Sequence, residues 1–230
     1  MRLLLVLAAA ATLGGCTHTS RPSAAPGPAA PPVNTADLPV ASDDVAERLL
    51  VDVARVDSTV LVELRYATAN NFMGAPLPGY QANRALLRRE AAYALARAQR
   101  RLGADGLTLK IFDAYRPVRA TVAMVEWAER TGRESLLRDG YIASRSRHNL
   151  GLAVDLTLAD QATGAELDMG TAFDTFSASA HTANATGRVA ANRQRLKAAM
   201  EAEGFANYDR EWWHYSYSLP DAVRFDQVIR

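Results

Sequence analysis

The chain has 230 residues, of which 49% are hydrophobic, and its formal net charge at pH 7 is +1. This length and apolar content suffice for one domain with a substantial core. The near-neutral charge provides no electrostatic footprint for a nucleic acid, so we expect no nucleic-acid partner.

The first sixteen residues have the pattern of an export signal. Arg2 supplies a minimal positive region, and the apolar run over residues 3–12 is too short to span a bilayer. The run ends in LGGC, which resembles the lipobox of bacterial lipoproteins. We therefore predict that Cys16 is lipidated and that the protein is exported and membrane-anchored, facing the periplasm or the cell exterior. A cysteine placed there by chance is the alternative.

Cys16 is the only cysteine, so no disulfide can form within the chain. Ser, Ala, Pro and Thr dominate residues 17–39, a composition that cannot bury a core and is typical of a tether. The folded domain is predicted to begin near Asp44. This divides the chain into a signal peptide (1–16), a tether (17–43) and one catalytic domain (44–230).

The predicted elements alternate between strands and helices. They are strand structure over 49–64, a Gly/Pro loop over 70–81, a helix capped by Asn83 and closed by Gly103, a strand over 107–112, a helix from Pro117 to about Arg130, an alternating strand over 152–158, a helix over about 189–203 and a last strand within 210–217. Helices packed on a mainly antiparallel central sheet make the expected fold class α+β.

The strand over 152–158 contains one carboxylate, Asp155, on the face opposite its large apolar side chains. A buried carboxylate needs a partner, because desolvating a lone charge is costly. His148 is a candidate, since Gly151 can adopt dihedral angles that turn the chain back toward Asp155. A structural hydrogen bond between the two is the alternative interpretation.

Imidazole and carboxylate groups suit Zn²⁺, and a catalytic zinc site normally has three protein ligands. The motif EWWHY supplies a third in His214, and Glu211 three positions earlier fits a general base acting on a metal-activated water. Arg116, where a strand gives way to a helix, fits an oxyanion stabiliser. The alternative interpretations are that His214 is a core histidine, that Glu211 is an exposed strand residue and that Arg116 forms a surface ion pair with Asp113.

Five segments in this order carry a family resemblance: RYATANNFMG, DAYRPVRA, SRHNLGLAVDLTL, MGTAFD and EWWHY. Together they closely resemble the D-alanyl-D-alanine dipeptidases of the vancomycin-resistance type, zinc peptidases that share a fold with certain D,D-carboxypeptidases. The resemblance covers about residues 52–217. It implies one Zn²⁺ per chain held by His148, Asp155 and His214, with Glu211 as catalytic base and Arg116 stabilising the transition state.

The same resemblance implies a small closed pocket that recognises both ends of a D,D-dipeptide. Asp174, aided by Tyr66, is expected at the substrate ammonium, and Tyr80 and Ser146 near the substrate carboxylate. Family members often carry a serine where this chain has Arg147, and an arginine there would strengthen carboxylate recognition.

Two other functions are compatible with these residues. One is a D,D-carboxypeptidase or endopeptidase that acts on longer peptidoglycan peptides, and the other is a catalytically silent wall-binding lipoprotein. Export would place a dipeptidase in extracytoplasmic cell-wall peptide turnover, with D-alanine recovery as its role. His181 lies in a loop-like run and is not expected to be a ligand. The sequence leaves the oligomeric state open.

Overall fold

The computed structural model describes residues 38–230. The predicted signal peptide, and the predicted tether up to residue 37, lie outside these described residues. Across the described part of the chain, every helix is too short or too polar to traverse a bilayer. The backbone of residues 38–41 already lies against the C-terminal segment, where the Ala41 N–H donates to the Arg224 carbonyl at 2.8 Å. Regular packing therefore starts a few residues before Asp44.

The first elements after this point are short. They are α1 (Asp43–Leu49), β1 (Leu50–Asp52), α2 (Val53–Val56) and β2 (Leu61–Val62). The stretch predicted as strand over 49–64 is thus two short strands separated by a helical turn. The reason is local, because the Asp52 side chain accepts a hydrogen bond from the Ala54 N–H and so caps α2.

The next pair is β3 (Leu86–Arg88) and α3 (Arg89–Gly103), and β3 lies antiparallel to β1. The prediction that Asn83 caps this helix is wrong, because α3 begins only at Arg89. The Asn83 side chain instead accepts from the Leu64 N–H at 2.7 Å and donates to the Val62 carbonyl at 2.9 Å. The predicted end of the helix at Gly103 is confirmed.

The remaining elements complete the domain. They are β4 (Leu107–Asp113), α4 (Val118–Arg130), α5 (Ser135–Arg138), β5 (Ala153–Asp160), α6 (Gly187–Glu201), β6 (Ala206–Asn207) and β7 (His214–Ser216). The larger sheet of the described residues has the order β2-β4-β5-β7-β6. Only β2 and β4 are parallel in it, so the sheet is mixed, and the predicted α+β class with a mainly antiparallel sheet is confirmed.

The middle strand, β5, is buried from Ala153 through Ala159. On one side it pairs with β7, and the register places Asp155 directly opposite His214. On the other side β4 carries a β-bulge, because the partner residues advance from Ile111 to Asp113 while β5 advances by one residue. The extra residue turns the Asp113 side chain to the face of Asp155. One sheet face therefore collects two carboxylates and a histidine.

Candidate active site

Strand pairing brings two of the predicted metal ligands together. Asp155 and His214 are cross-strand neighbours, and Asp155 Oδ1 lies 2.8 Å from His214 Nδ1. Directly opposed residues on one face of an antiparallel pair have their Cβ atoms about 5 Å apart, so short side chains of this kind meet there. The register, rather than a flexible loop, fixes this half of the site.

A tight turn brings His148 to the same point. A 3₁₀ helix over Arg147–Leu150 ends at Gly151, which has φ +63°, and a Cβ at Gly151 would lie 2.5 Å from the Leu50 side chain. Only glycine fits this position, as the turn predicted from the sequence requires. His148 Nε2 then lies 3.3 Å from Asp155 Oδ2 and 3.2 Å from His214 Nδ1.

These three residues fit a divalent metal ion. Their donor atoms all lie within 4.8 Å of one another. Ligands of a tetrahedral zinc ion about 2.05 Å from the metal lie about 3.3 Å apart, close to the two separations from His148 Nε2. The His148 Nδ1–H donates a hydrogen bond to the Ala114 carbonyl at 2.6 Å. This leaves the lone pair of Nε2 free to bind a metal ion.

The charge state of Asp155 also suits a ligand. Burial by itself raises the pKa of this carboxyl, but the neighbouring His148 and His214 outweigh burial and hold the pKa below its usual range. The side chain is therefore an ionised carboxylate beside two imidazoles. Two imidazoles and one carboxylate are a donor set characteristic of zinc in hydrolases.

Glu211 lies at the edge of this triangle, on the turn that leads into β7. Its Oε2 is 3.9 Å from His214 Nδ1, and the residue is only 8% exposed. Its carbonyl accepts from the His214 N–H and from the Asn207 side chain, which fixes the backbone. Burial, followed by the charges of Asp155 and Asp174, raises the pKa of Glu211 well above its usual range.

Arg116 is held in the site by Asp113, a residue that sequence reasoning treated only as a surface partner. Asp113 Oδ2 accepts from Arg116 Nε at 2.9 Å and lies 2.8 Å from its Nη2, and the carboxylate is fully buried. The same Nη2 is 3.7 Å from Asp155 Oδ2. The ion pair named as an alternative thus exists, but it is buried and aims the guanidinium at the ligand cluster.

A fourth carboxylate, Asp174, lies apart from the predicted metal ligands. It accepts a hydrogen bond from the Tyr66 hydroxyl, which is 3.0 Å from one oxygen and 3.1 Å from the other. Asp174 has φ +59°, the one positive φ of a non-glycine residue among residues 38–230. Burial, and then the charge of Asp155, raises its pKa well above the usual range. Such strain and pKa elevation are typical of functional carboxylates.

The residues predicted at the substrate carboxylate separate in the structure. Ser146 lines the cavity and accepts a hydrogen bond from the His148 N–H at 3.2 Å. Tyr80 instead lies behind the cavity wall, and its hydroxyl donates to Asp113 Oδ1 at 2.6 Å. Tyr80 does not line the cavity and supports Asp113, and its expected position near the substrate carboxylate stays a prediction.

The cavity around the cluster has a volume of about 380 Å³. Eight of the nine predicted site residues line it, all except Tyr80. Aromatic and apolar side chains close its walls, namely Phe72, Met124, Tyr141, Ile142, Phe176, Tyr208 and Trp213. His181 is not among the lining residues, and its ring lies 3.2 Å from the Tyr141 hydroxyl. A cleft in which aromatic walls surround convergent polar and charged groups suits a small polar ligand.

Comparison of the amino-acid sequence with known proteins identifies the family of this chain. A family model described as D-ala-D-ala dipeptidase, of the peptidase M15 group, matches residues 46–229. The chain belongs to the D-Ala-D-Ala dipeptidase family. The resemblance noted in the sequence is thereby confirmed, and members of this family are zinc metallopeptidases.

Named D-alanyl-D-alanine dipeptidases are similar over most of their length. The one from Streptomyces coelicolor is 39% identical over 183 residues, covering 72% of this chain and 91% of the relative. The one from Enterococcus faecium is 38% identical over 168 residues, covering 66% and 83%. The one from Escherichia coli is 36% identical over 178 residues, covering 76% and 87%. This dipeptidase-family chain thus spans nearly all of each relative.

Among solved structures, a vancomycin-resistance D,D-dipeptidase in complex with a D-Ala-D-Ala phosphinate analogue aligns with TM-score 0.40 and 18% identity, covering 74% of this chain and 66% of that one. A vancomycin-resistance D,D-pentapeptidase mutant in complex with Zn(II) aligns with TM-score 0.37 and 16% identity, covering 70% and 87%. At these TM-scores, membership of the dipeptidase family follows from the sequence matches alone.

Proposed function

We propose that this protein is a zinc-dependent dipeptidase that hydrolyses D-alanyl-D-alanine and related D,D-dipeptides, with one Zn²⁺ per chain. The observation that carries the proposal is a single cavity that contains the His148–Asp155–His214 triangle with Glu211 beside it. The similar proteins are named D-alanyl-D-alanine dipeptidases, and this name supports the substrate class.

The residues divide the work of peptide hydrolysis. A zinc ion held by His148, Asp155 and His214 would supply Lewis-acid activation of water and of the scissile carbonyl. Glu211 takes a proton from the attacking water and returns it to the leaving amine, a role that its raised pKa favours. The Arg116 guanidinium, aimed by Asp113, stabilises the negative charge that develops on the carbonyl oxygen.

The end of the cavity near Asp174 favours a dipeptide over a longer chain. Asp174 and Tyr66 offer a carboxylate and a hydroxyl for a free ammonium group. Phe72 closes this end, because its ring packs 6.1 Å from Tyr66 and 5.2 Å from Phe176 between centroids. A substrate with residues before the scissile dipeptide would have to displace this aromatic wall.

We further propose that the enzyme acts outside the cytoplasm as a lipid-anchored protein. The support is the sequence pattern of the N-terminal sixteen residues, in which LGGC precedes a Pro/Ala-rich segment. In that location it would cleave dipeptides released by cell-wall turnover and return D-alanine to the cell.

The activity is tested with protein stripped of metal by a chelator and reloaded with zinc. We expect hydrolysis of D-Ala-D-Ala only in the zinc-loaded form, with much slower turnover of a pentapeptide that ends in the same dipeptide. Glu211→Gln should keep stoichiometric zinc and lose nearly all hydrolysis. Rapid pentapeptide turnover would instead indicate a carboxypeptidase, and an inactive zinc-loaded protein would refute the proposal.

The anchor is tested separately by fractionating cells that express the parent or Cys16→Ser. We expect the parent in the membrane fraction and the variant to be released or left unprocessed. If Cys16→Ser is processed and distributed like the parent, Cys16 does not carry an anchor.

A further inference from the structure

One buried arginine lies outside the cavity and takes no part in the chemistry described above. Arg193 is on α6, on the helix face whose other buried members are Leu196, Ala199 and Met200. Its side chain is only 2% exposed. A charged group is rarely buried this fully without partners, because desolvation of the charge is costly. The partners of Arg193 therefore indicate what the residue does.

The guanidinium of Arg193 makes four hydrogen bonds in the described part of the chain, and all of them go to backbone carbonyls. Nε and Nη2 donate to the Met169 carbonyl at 2.9 and 2.7 Å. Nη2 also donates to the Ser179 carbonyl at 3.0 Å, and Nη1 donates to the His181 carbonyl at 2.7 Å. These carbonyls lie at the two ends of residues 169–181, which we call the recognition loop. Arg193 thus joins the two ends of this loop to each other and to α6.

The middle of the recognition loop carries groups that face the cavity. Asp174 and Phe176 line the cavity, and Asp174 has φ +59°. Among the described residues, the backbone of 170–177 hydrogen-bonds only to groups within three residues along the chain. The path of this stretch therefore depends on its fixed ends and on side-chain contacts. A backbone conformation such as that of Asp174 persists only where the surrounding structure holds it.

The start of the recognition loop is fitted closely to α6. Gly170 has φ +80°, and a Cβ there would lie 2.8 Å from the Val189 side chain and 3.3 Å from Arg193 Nη2. The Asn192 side chain donates to the Asp168 carbonyl at 2.9 Å, one residue before the loop begins. A shift of Arg193 would therefore be transmitted directly to the loop backbone.

We propose that Arg193 is a positioning residue for substrate recognition, which holds Asp174 in the orientation that binds the substrate ammonium by fixing both ends of the recognition loop. The proposal rests on the proposed dipeptidase function and adds the residue that sets its preference for a free amine. A planar guanidinium presents donors in several directions at once, whereas a lysine ammonium cannot bridge three carbonyls in the same way. Arg193 does not line the cavity, so it acts through Asp174.

The first test compares the kinetics of the zinc-loaded parent with those of Arg193→Met and Arg193→Lys. We expect Arg193→Met to raise KM for D-Ala-D-Ala about ten-fold while kcat falls less than about three-fold, because a displaced Asp174 loses a charge-assisted contact and the metal ligands stay in place. Arg193→Lys should have an intermediate KM. Both variants should keep stoichiometric zinc. A purely structural role would instead reduce the active fraction, which lowers kcat and leaves KM unchanged.

The second test locates the effect at the amine with two phosphinate dipeptide analogues, one with a free amine and one N-acetylated. Arg193→Met should weaken inhibition by the free amine about ten-fold and inhibition by the N-acetylated analogue much less. In an Asp174→Asn background, Arg193→Met should have little further effect, because residues that act through one group are not additive. Equal weakening of both analogues, or additive losses in the double variant, would overturn the proposal.

Arg195→Met is the matched control, because Arg195 lies two residues further along α6 and is exposed. It should keep the parental KM and inhibition constants, and a shift as large as that of Arg193→Met would overturn the assignment. If Arg193→Met does not fold, Arg193→Lys decides, and an unchanged KM with unchanged selectivity between the analogues would overturn it. A parent that neither hydrolyses D-Ala-D-Ala nor binds the analogues would refute the dipeptidase function itself, whereas an active parent with unaffected Arg193 variants would refute only the role of Arg193.

Discussion

The two halves of the cavity are built differently. The metal half is fixed by the sheet, since Asp155 and His214 are paired across β5 and β7 and a glycine turn holds His148 against them. The substrate half is carried by segments between the strands, with Tyr66 on a short 3₁₀ helix and Asp174 in a loop. A metal ion needs ligand positions held within a few tenths of an ångström, which strands provide, whereas recognition groups lie on loops.

The electrostatics of the two halves differ in the same way. On the metal side, His148 and His214 lower the pKa of Asp155 despite burial. On the substrate side, burial raises the pKa of Asp174, and within residues 38–230 its side chain accepts a hydrogen bond only from the Tyr66 hydroxyl. Asp155 thus has two imidazole partners within the protein, whereas the Asp174 carboxylate has a neutral hydroxyl as its partner. This contrast is consistent with the proposed roles, in which Asp155 is a metal ligand and Asp174 binds the substrate ammonium.

The largest effect is expected on the metal side. Asp155→Asn removes the ligand charge, so we expect loss of bound zinc and a fall in kcat/KM of at least about 10³-fold, because metal activation supplies several kcal/mol. Metal analysis and kinetics measure both. Thr157→Val, two residues along the same buried strand, is the control and should keep zinc and activity. If the Asp155→Asn variant still bound zinc and remained active, Asp155 would not be a required ligand and the contrast between the two halves would be wrong.

The next effect concerns Asp113, which we expect to act through Arg116. Asp113→Asn should lower kcat by about 10²-fold, the scale of losing one oxyanion donor, with little change in KM. In an Arg116→Lys background the same change should have little further effect, since residues that act as a unit are not additive. Independent, additive losses would show that Asp113 has only a structural role.

A smaller effect is expected on the substrate side. Asp174→Asn should raise KM about ten-fold or more while kcat changes less and zinc remains bound, because a charge-assisted contact to the ammonium is lost. An N-acetylated dipeptide lacks that ammonium, so the substitution should not weaken its binding further. Asp168→Asn, at a more exposed carboxylate on the preceding segment, is the control. Equal losses with both ligands would contradict the assignment to the amine.

The sequence predicted the metal half better than the recognition half. Alternation over residues 152–158 marked the strand that became β5 and isolated Asp155 as the single carboxylate of that stretch, and Pro117 marked the start of α4. Glycine at position 151 correctly predicted the turn that returns His148 to Asp155. Strand alternation, a glycine turn and a proline at a helix start are local patterns, and each depends on only a few neighbouring residues.

The misses are long-range. The bulge that turns Asp113 toward Asp155 depends on pairing between β4 and β5, which leaves no periodic signature in either strand. The family resemblance gave Tyr80 a place near the substrate carboxylate, and only the folded structure shows that its hydroxyl donates to Asp113, 33 residues further along the chain. Asn83 has the right residue type for a helix cap, yet pairing of β3 with β1 keeps the chain extended as far as Arg88.

The smallest effect should appear far from both halves, where Glu203 joins α3 to the end of α6. Its carboxylate lies 2.5 Å from Arg97 Nε and 2.6 Å from Arg101 Nε. Burial alone would raise the pKa of Glu203, but these two arginines outweigh burial and lower it. The ionised group therefore contributes stability above its unfolded pKa of about 4.3, and this contribution is lost as the pH falls through the lower folded pKa.

Glu203→Gln should lower the free energy of unfolding at pH 7 by about 1 kcal/mol or less, since both arginines are partly exposed. The difference from the parent, measured by urea unfolding, should shrink as the pH is lowered from about 5 to below 4. Glu201→Gln, which breaks an exposed pair with Lys197, is the control and should change stability less. Because Glu203 contacts neither half of the cavity, kcat/KM should stay at the parental value. A kinetic change would mean that the helix layer also positions the site, so the sheet and its turns would not be sufficient to fix the metal half.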